Sequence, residues 1–99
     1  MDDRIREHAE TLVDWSARIE SGDDVVLSVD EGAHELAVAV AEVLGDRGAN
    51  LVSVYRSDEI QRAYLGAHDG DFDADPEYEH ALYENADSVL VLGGTRNTA

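Results

Sequence analysis

The fold is decided by residues 25–55, which read VVLSVDEGAHELAVAVAEVLGDRGANLVSVY. Two apolar runs, 25–29 and 51–55, enclose a segment in which apolar side chains recur at helical spacing from Ala33 to Leu44. Neither run alternates polar with apolar residues, and strands that are apolar on both faces are typical of a parallel sheet covered by helices on two sides. Strand, helix and strand joined by short turns predict a right-handed βαβ unit.

The flanking sequence extends this unit in both directions. Residues 2–20 carry apolar side chains at the spacing of an amphipathic helix, and a short helix begins after Ser57. An acidic loop, 68–75, leads to a helix opened by Asp75 as cap and Pro76 as first helical residue, and then to a third apolar run, 89–92. The sequence therefore predicts an α/β fold, a three-layer, Rossmann-like parallel sheet of about three strands (25–29, 51–55 and 89–92) with flanking helices. The strand orders 3-2-1 and 2-1-3 both satisfy the handedness rule.

The sheet predicted in this way has exposed edges, because the chain stops seven residues after Leu92. An α/β chain normally continues with a covering helix and further strands, and bare edges invite pairing with another segment. We therefore expect one incomplete N-terminal α/β domain over residues 1–99, which either associates with copies of itself or forms the front part of a larger protein.

The charge of the chain is unusual for its length. Twenty-three acidic residues accompany seven basic ones, all arginine, which gives a net charge of −16 over 99 residues. The acids are spread from Asp2 to Asp87 rather than gathered in one block. At about 1 M salt the Debye length is only about 3 Å, so such a surface no longer repels itself. We interpret the composition as adaptation to a salt-rich cytoplasm, the alternative being an acidic patch that mimics nucleic acid or recruits a basic partner.

Composition also excludes several classes of function. A nucleic-acid-binding protein needs a basic surface, which this chain lacks. The longest apolar stretch, 36–41, is far too short to span a membrane, and no basic segment followed by an apolar one comes after Met1. Without cysteine there are no disulfides, zinc-thiolate sites or thiol nucleophiles. We expect a cytoplasmic protein that binds neither nucleic acid nor membranes.

The usual metal and phosphate motifs are absent from the sequence. The acidic loop fails as an EF-hand, because Ala74 stands where glycine is needed and His80 where a bidentate glutamate is needed. The four histidines lack metal-ligand spacing, and there is no GxGxxG. A receiver domain would need an aspartate at the end of its third strand, where Gly93 and Gly94 stand.

Ligands of parallel sheets bind at the carboxyl ends of the strands, so the turns at those ends supply the candidate residues. Asp30 and Glu31 follow the first strand, and Arg96 and Asn97 follow the third. These four residues are the candidate ligand-binding residues. For the turn after the third strand, the alternative is a glycine turn followed by an ordinary polar loop. We predict no metal-binding residue in the chain, because the histidines lack ligand spacing.

Several short segments, in this order and spacing, resemble the N-terminal domain of the thermophilic metallo-aminopeptidases, the family typified by aminopeptidases T and S. The segments are 22–27 (GDDVVL), 48–52 (GANLV), 57–59 (SDE), 86–88 (ADS) and 96–98 (RNT). The resemblance runs the length of the chain, which would be the first quarter of such an enzyme, and the acidic, lysine-free composition would suit a haloarchaeal member.

The resemblance implies a chain that is inactive alone. In that family, two divalent metal ions are held by side chains of the later, C-terminal domain, so no cofactor and no catalytic residue is expected in residues 1–99. The implied partners are the C-terminal catalytic domain of the same protein and further copies of it, as a homo-oligomer. The rival hypothesis is a stand-alone binding or assembly module that uses the loops at the strand ends, 30–33, 56–58 and 93–97.

Overall fold

The computed structural model of the chain describes residues 3–68, 70 and 76–93. In chain order the elements are α1 (Asp3–Glu10), β1 (Asp24–Asp30), α2 (His34–Arg47), β2 (Asn50–Arg56), α3 (Asp58–Ala67), α4 (Glu77–Glu84) and β3 (Ser88–Leu92). A π-helical turn, Thr11–Ser16, continues α1, and a 3₁₀ turn, Glu31–Ala33, joins β1 to α2. The three predicted strands are confirmed, each with its ends within one residue of the prediction.

All three strands are parallel, and β1 lies in the middle of the sheet, in the order β2-β1-β3. Val25 is the register partner of Leu51 on one side and of Ser88 on the other. Of the two orders that the sequence left open, the structure has 2-1-3. The chain thus crosses from β1 to β2 in one direction and returns past β1 to reach β3.

The main core lies between one face of the sheet and the two long helical segments. Alternate residues of β1 point to this face, and α1 packs against α2 above it. Its fully or almost fully buried members are Ala9, Val13, Ile19, Val25, Leu27, Val29, Ala37, Ala39, Val40, Val43, Leu44 and Leu92. Burial of these side chains is the main favourable term that holds α1, α2 and β1 together.

The remaining side chains of each strand point to the second face of the sheet. Val26 and Ser28 of β1 point there, and Leu82 of α4 lines a hollow with Val26 and Val52. Right-handed crossovers that run in opposite directions along a sheet place their helices on opposite faces. Helices therefore flank both faces, which confirms the predicted three-layer arrangement.

The first helix differs from the prediction of one regular helix up to residue 20. The N–H of Ala17 donates to the carbonyl of Leu12, five residues back, at 2.9 Å, which is the hydrogen bond of a π-helix. Arg18 then adopts a left-handed φ of +52°, and Ile19 enters the core after the helix has ended. Ile19 therefore reaches the core through a turn, which helical periodicity does not anticipate.

The other helix ends follow the expected chemistry closely. Gly48, with φ of +81°, ends α2, and its N–H donates to the carbonyls of Gly45 and Leu44. The Ser57 hydroxyl accepts from the N–H of Ile60 at 3.4 Å at the start of α3. The prediction for α4 was wrong by one residue: Pro76 has an extended ψ of 143° and precedes the helix, which begins at Glu77. Asp75, its predicted cap, lies outside the described residues.

Candidate functional site at the carboxyl edge of the sheet

The carboxyl ends of the three strands lie side by side, because parallel strands end at the same edge of a sheet. Asp30, the last residue of β1, is the register partner of Arg56, the last residue of β2. On the other side of β1, Val29 is paired with Leu92, and Gly93 follows directly. The structure thus brings Asp30, Arg56 and Gly93 to one edge.

The strand order makes this edge the expected place for a ligand. In open α/β sheets ligands bind outside the carboxyl ends of the strands, where successive connections leave toward opposite faces. In the order β2-β1-β3 that switch point lies between β1 and β3. Asp30 and Glu31 stand on one side of the switch point and Gly93 on the other.

Close backbone packing narrows the gap between β1 and β3. Gly93 has φ of +85°, a conformation that side-chain-bearing residues rarely adopt. A Cβ at this position would lie 2.7 Å from the Cβ of Asp30 and 3.0 Å from the Cβ of Ala33. The end of β3 therefore rests directly on the turn that leads from β1 into α2, and only glycine fits there.

The predicted site residues fall into two groups. Asp30 is half-buried beside Gly93, and Glu31 is exposed in the 3₁₀ turn, so both lie at the switch point. Arg96 and Asn97 lie outside the described residues. Ligand binding by these four residues stays a prediction.

At the opposite, amino edge of the sheet, where the three strands begin, a network of hydrogen bonds joins residues from three of the family-like segments. The backbone of Asp24 exchanges two hydrogen bonds with Asp87: its N–H donates to Oδ2 of Asp87 at 2.8 Å, and its carbonyl accepts from the Asp87 N–H at 2.7 Å. Nδ2 of Asn50 donates to Oδ1 of Asp24 at 2.9 Å. These side chains align the starts of all three strands, which gives the resemblance segments at 22–27, 48–52 and 86–88 a structural role.

Two arginines connect the first helical segment to α2. Arg47 binds Asp14 through two hydrogen bonds, of 2.9 and 2.7 Å. Arg6 binds Glu10, Glu42 and Asp46, with its shortest contact 2.8 Å to Oδ2 of Asp46. These pairs lie within or beside α1 and α2, away from the carboxyl edge. Sequence reasoning missed the contacts between the two helical segments, because Arg47 and Asp14 are 33 residues apart and Arg6 and Asp46 are 40 apart.

Sequence reasoning also missed an apolar surface on the second face of the sheet. Val52 is 50% exposed and Val91 65% exposed, although both belong to strands of the apolar type. The hydroxyl of Ser28, buried between them on β1, has no hydrogen-bond partner among the residues described. On α3, the side chains of Ile60 and Tyr64 are also largely exposed. The signal in the sequence was the apolar pattern on both faces of the strands.

Neither a cluster of metal ligands nor a membrane-spanning helix is present in the part of the chain that the structure describes. Within 3–68, 70 and 76–93, no three or more histidine, aspartate or glutamate side chains are grouped so that they could hold a metal ion. In that part of the chain no helix has the length and apolar character needed to cross a bilayer.

Comparison with known proteins gives a similar solved structure and a matching family. No curated protein sequence matches the chain significantly. Wild-type AmpT from Thermus thermophilus has a similar structure, with a TM-score of 0.70 and 20% sequence identity, over 94% of this chain and 25% of the AmpT chain. The chain thus spans about a quarter of the length of that protein. The family described as "Thermophilic metalloprotease (M29)" matches residues 1–99. The chain therefore belongs to the thermophilic metalloprotease family along its whole length.

Proposed function

We propose that residues 1–99 are the N-terminal, non-catalytic domain of a metal-dependent aminopeptidase that releases N-terminal amino acids from peptides. The observation that carries the proposal is the family match over residues 1–99, in a chain that spans only a quarter of AmpT. The two divalent metal ions and their ligands would lie in the part of the enzyme that corresponds to the rest of AmpT. The 99 residues alone would be inactive.

The exposed apolar surface supports a role as a docking domain. Soluble monomers rarely leave large contiguous apolar patches uncovered, and such patches mark interaction sites. The second sheet face exposes Val52 and Val91, and α3 exposes Ile60, Tyr64 and Leu65. We propose that this surface packs against the remainder of the enzyme and helps to shape access to its active site.

Activity assays of two proteins test the proposal. The 99-residue chain and the longer product of the same gene are assayed for release of leucine from a chromogenic leucine amide, with cobalt, zinc or magnesium added. We expect activity only from the longer product, abolished by a chelator and restored by metal. Metal-dependent hydrolysis by the 99-residue chain itself would contradict the proposal, and so would a stop codon directly after codon 99.

Substitutions on α3 test the docking role within the longer product. The double variant Ile60→Ser, Tyr64→Ser should become sensitive to limited proteolysis between the N-terminal domain and the rest, with reduced activity. Gln61→Ser changes an exposed polar residue of the same helix and serves as the matched control. Equal protease sensitivity of the two variants would show that the apolar face of α3 does not dock.

The acidic composition leads to a proposal about where the enzyme works. We propose that it is cytoplasmic and acts at high salt, because a net charge of −16 is tolerated best where the Debye length is short.

The second candidate function is a stand-alone binding or assembly module. The observation that favours it is the placement of Asp30, Glu31 and Gly93 at the switch point of the sheet, where ligands of α/β proteins bind. Such a module would show a ligand-induced rise in melting temperature for the 99-residue chain, lost in Asp30→Asn. The docking domain predicts no such rise, so a thermal-shift screen of metabolites in high salt discriminates the two functions.

A further inference from the structure

Strand β2 forms one edge of the sheet, and within the described residues it pairs only with β1. It is seven residues long, which is about 23 Å of strand. Lysine, proline or a bulge normally protects such an edge from further pairing. Residues 51–55 of β2 contain no charge and no proline, and their register with β1 is continuous. The outward-facing N–H and C=O groups of β2 are therefore left for the backbone of an extended chain.

A groove lies directly beside this edge, between β2 and α2. It has a volume of about 230 Å³ and is lined mainly by apolar side chains, among them Val38, Ala41, Leu51 and Tyr55. Val38 is 40% exposed and Tyr55 55% exposed, so the groove opens to solvent. Pockets that enclose a whole small molecule are usually larger, about 300–1,000 Å³. The size and position of the groove suit apolar side chains that project from a strand paired with β2.

The alternation of side chains along a strand decides which residues of an added strand would enter the groove. Leu51, Ser53 and Tyr55 of β2 all line it, and they lie two residues apart. Successive side chains of a strand point to opposite faces, so only every second residue of an added strand would lie on the α2 side of the sheet. The groove thus selects a segment that has apolar residues at alternate positions.

Charge around β2 indicates which segments can approach. The chain has a net charge of −16, whereas residues 51–55 are uncharged. At the amino end of β2, Asp24 begins the neighbouring strand. At its carboxyl end, Arg56 is paired with Asp30 and is followed by the acidic residues 58–59. Because these surroundings repel acidic segments and attract basic ones, the surface fits a segment that is apolar in its middle and basic at its ends.

We propose that the β2 edge and the groove beside it bind an extended peptide, which adds a strand to the sheet and places alternate apolar side chains in the groove. In this mode of recognition main-chain hydrogen bonds supply affinity, and the side-chain groove supplies specificity. In the longer enzyme the bound segment is the part of a peptide substrate beyond its N-terminal residues, a step that rests on the proposed aminopeptidase function. Binding of the peptide by the 99-residue chain does not require that activity.

Backbone-methylated peptides test for an added strand. The probe is a fluorescein-labelled peptide of about seven residues, with leucine at alternate positions, threonine between them and arginine at both ends. Only every second residue of an added strand donates its N–H to the edge. In fluorescence anisotropy with the 99-residue chain at about 0.5 M KCl, N-methylation of one alternate set of residues should weaken binding about tenfold or more. Methylation of the other set should have little effect. Equal effects of the two methylations, or no binding of the probe, would overturn the proposal.

Substitution in the groove tests its part in binding. Val38→Lys places a positive charge among the apolar lining residues and should weaken binding of the same probe about tenfold. Gln61→Lys adds the same charge at an exposed position on α3, outside the groove lining, and is the matched control. Because Val38 is 40% exposed, both variants should fold, as circular dichroism would verify. Equal affinity of the two variants for the probe would show that the peptide does not occupy the groove.

The longer gene product tests whether the bound peptide is a substrate. Two peptides begin with the same residues, leucine first, and have the same composition further on. In one the apolar residues alternate with threonine, and in the other they are contiguous. We expect a KM about tenfold lower for the alternating peptide, with similar kcat. Equal KM values would overturn the inference. No hydrolysis of either peptide would instead contradict the proposed function, and the binding measurements with the 99-residue chain would still decide the inference.

Discussion

Arg47 clamps Asp14 through two hydrogen bonds, from Nε to Oδ1 at 2.9 Å and from Nη2 to Oδ2 at 2.7 Å. The pair connects the last turn of α2 to the π-helical turn that continues α1, and both side chains are about one third exposed. The bidentate geometry distinguishes it from an ordinary surface ion pair, which contributes little. It holds the irregular end of the first helix against α2.

The pH dependence of stability should report this clamp. Hydrogen bonds from Arg47 lower the pKa of Asp14 below its ordinary 3.8, although desolvation of the carboxylate opposes the shift. A carboxylate with a lowered folded-state pKa stabilises the fold above its unfolded pKa, and that stability is lost as pH falls through the folded pKa. As pH falls from about 5 to about 2, the free energy of unfolding measured in urea should therefore decrease less for Asp14→Asn than for the unmodified chain.

Glu31→Gln is the matched control for Asp14→Asn, because it removes one negative charge from an exposed position far from Arg47. We expect Glu31→Gln to keep the full acid sensitivity of the unmodified chain. At neutral pH Asp14→Asn should be less stable than Glu31→Gln. Equal stability of the two variants at both pH extremes would show that the clamp contributes nothing.

Asn50→Asp should weaken the amino edge of the sheet. In the unmodified chain Nδ2 of Asn50 lies 2.9 Å from Oδ1 of Asp24. The substitution replaces this donor with a carboxylate oxygen. Loss of a hydrogen bond to a charged group and like-charge repulsion at this exposed site should together cost about 1–2 kcal/mol in urea unfolding. Salt at about 1 M should restore part of the loss. Asn50→Ala, which removes the donor without adding charge, should lose less and show no such recovery.

Gly93→Ala should strongly destabilise the chain, because the new Cβ would lie 2.7 Å from the Cβ of Asp30 and the backbone would have to keep φ of +85°. We expect a loss of about 2–3 kcal/mol in thermal or urea unfolding. Gly45→Ala is the control: it lies within α2 with nothing within 4 Å of the new Cβ. It should stabilise the chain by about 0.5–1 kcal/mol. Similar effects at the two positions would mean that β3 does not rest on the β1–α2 turn.

Salt should raise stability overall, although it weakens the Arg47–Asp14 pair. Self-repulsion of a net charge of −16 extends over the whole surface, whereas an ion pair such as Arg6–Glu10 or Arg47–Asp14 is a local contact. We expect the urea midpoint to rise steadily between about 0.1 and 2 M KCl. The variant Glu7→Gln, Glu31→Gln, Glu59→Gln, Glu84→Gln removes four exposed charges and should need less salt for the same midpoint. A midpoint that does not change with salt would argue against adaptation to high salt.

How much of the candidate site the sequence reveals depends on distance along the chain. Asp30 and Glu31 are site candidates because they follow an apolar strand, which is local information. Contact between Gly93 and Asp30 depends on how β3 docks, more than sixty residues later, and no local pattern encodes it. The network of Asp24, Asn50 and Asp87 is likewise built from three separate segments.

By itself, the sequence determined the three strands, the regular part of each helix, the start of α3, and the family, because periodicity, capping and the order of short segments are properties of neighbouring residues. Only the tertiary structure decided the order β2-β1-β3. Both candidate orders obey the right-handed crossover rule, and the choice depends on which face the α3–α4 connection covers. The same choice leaves β2 at an open edge and brings Gly93 onto Asp30. The strand order depends on packing between residues that are distant in the chain.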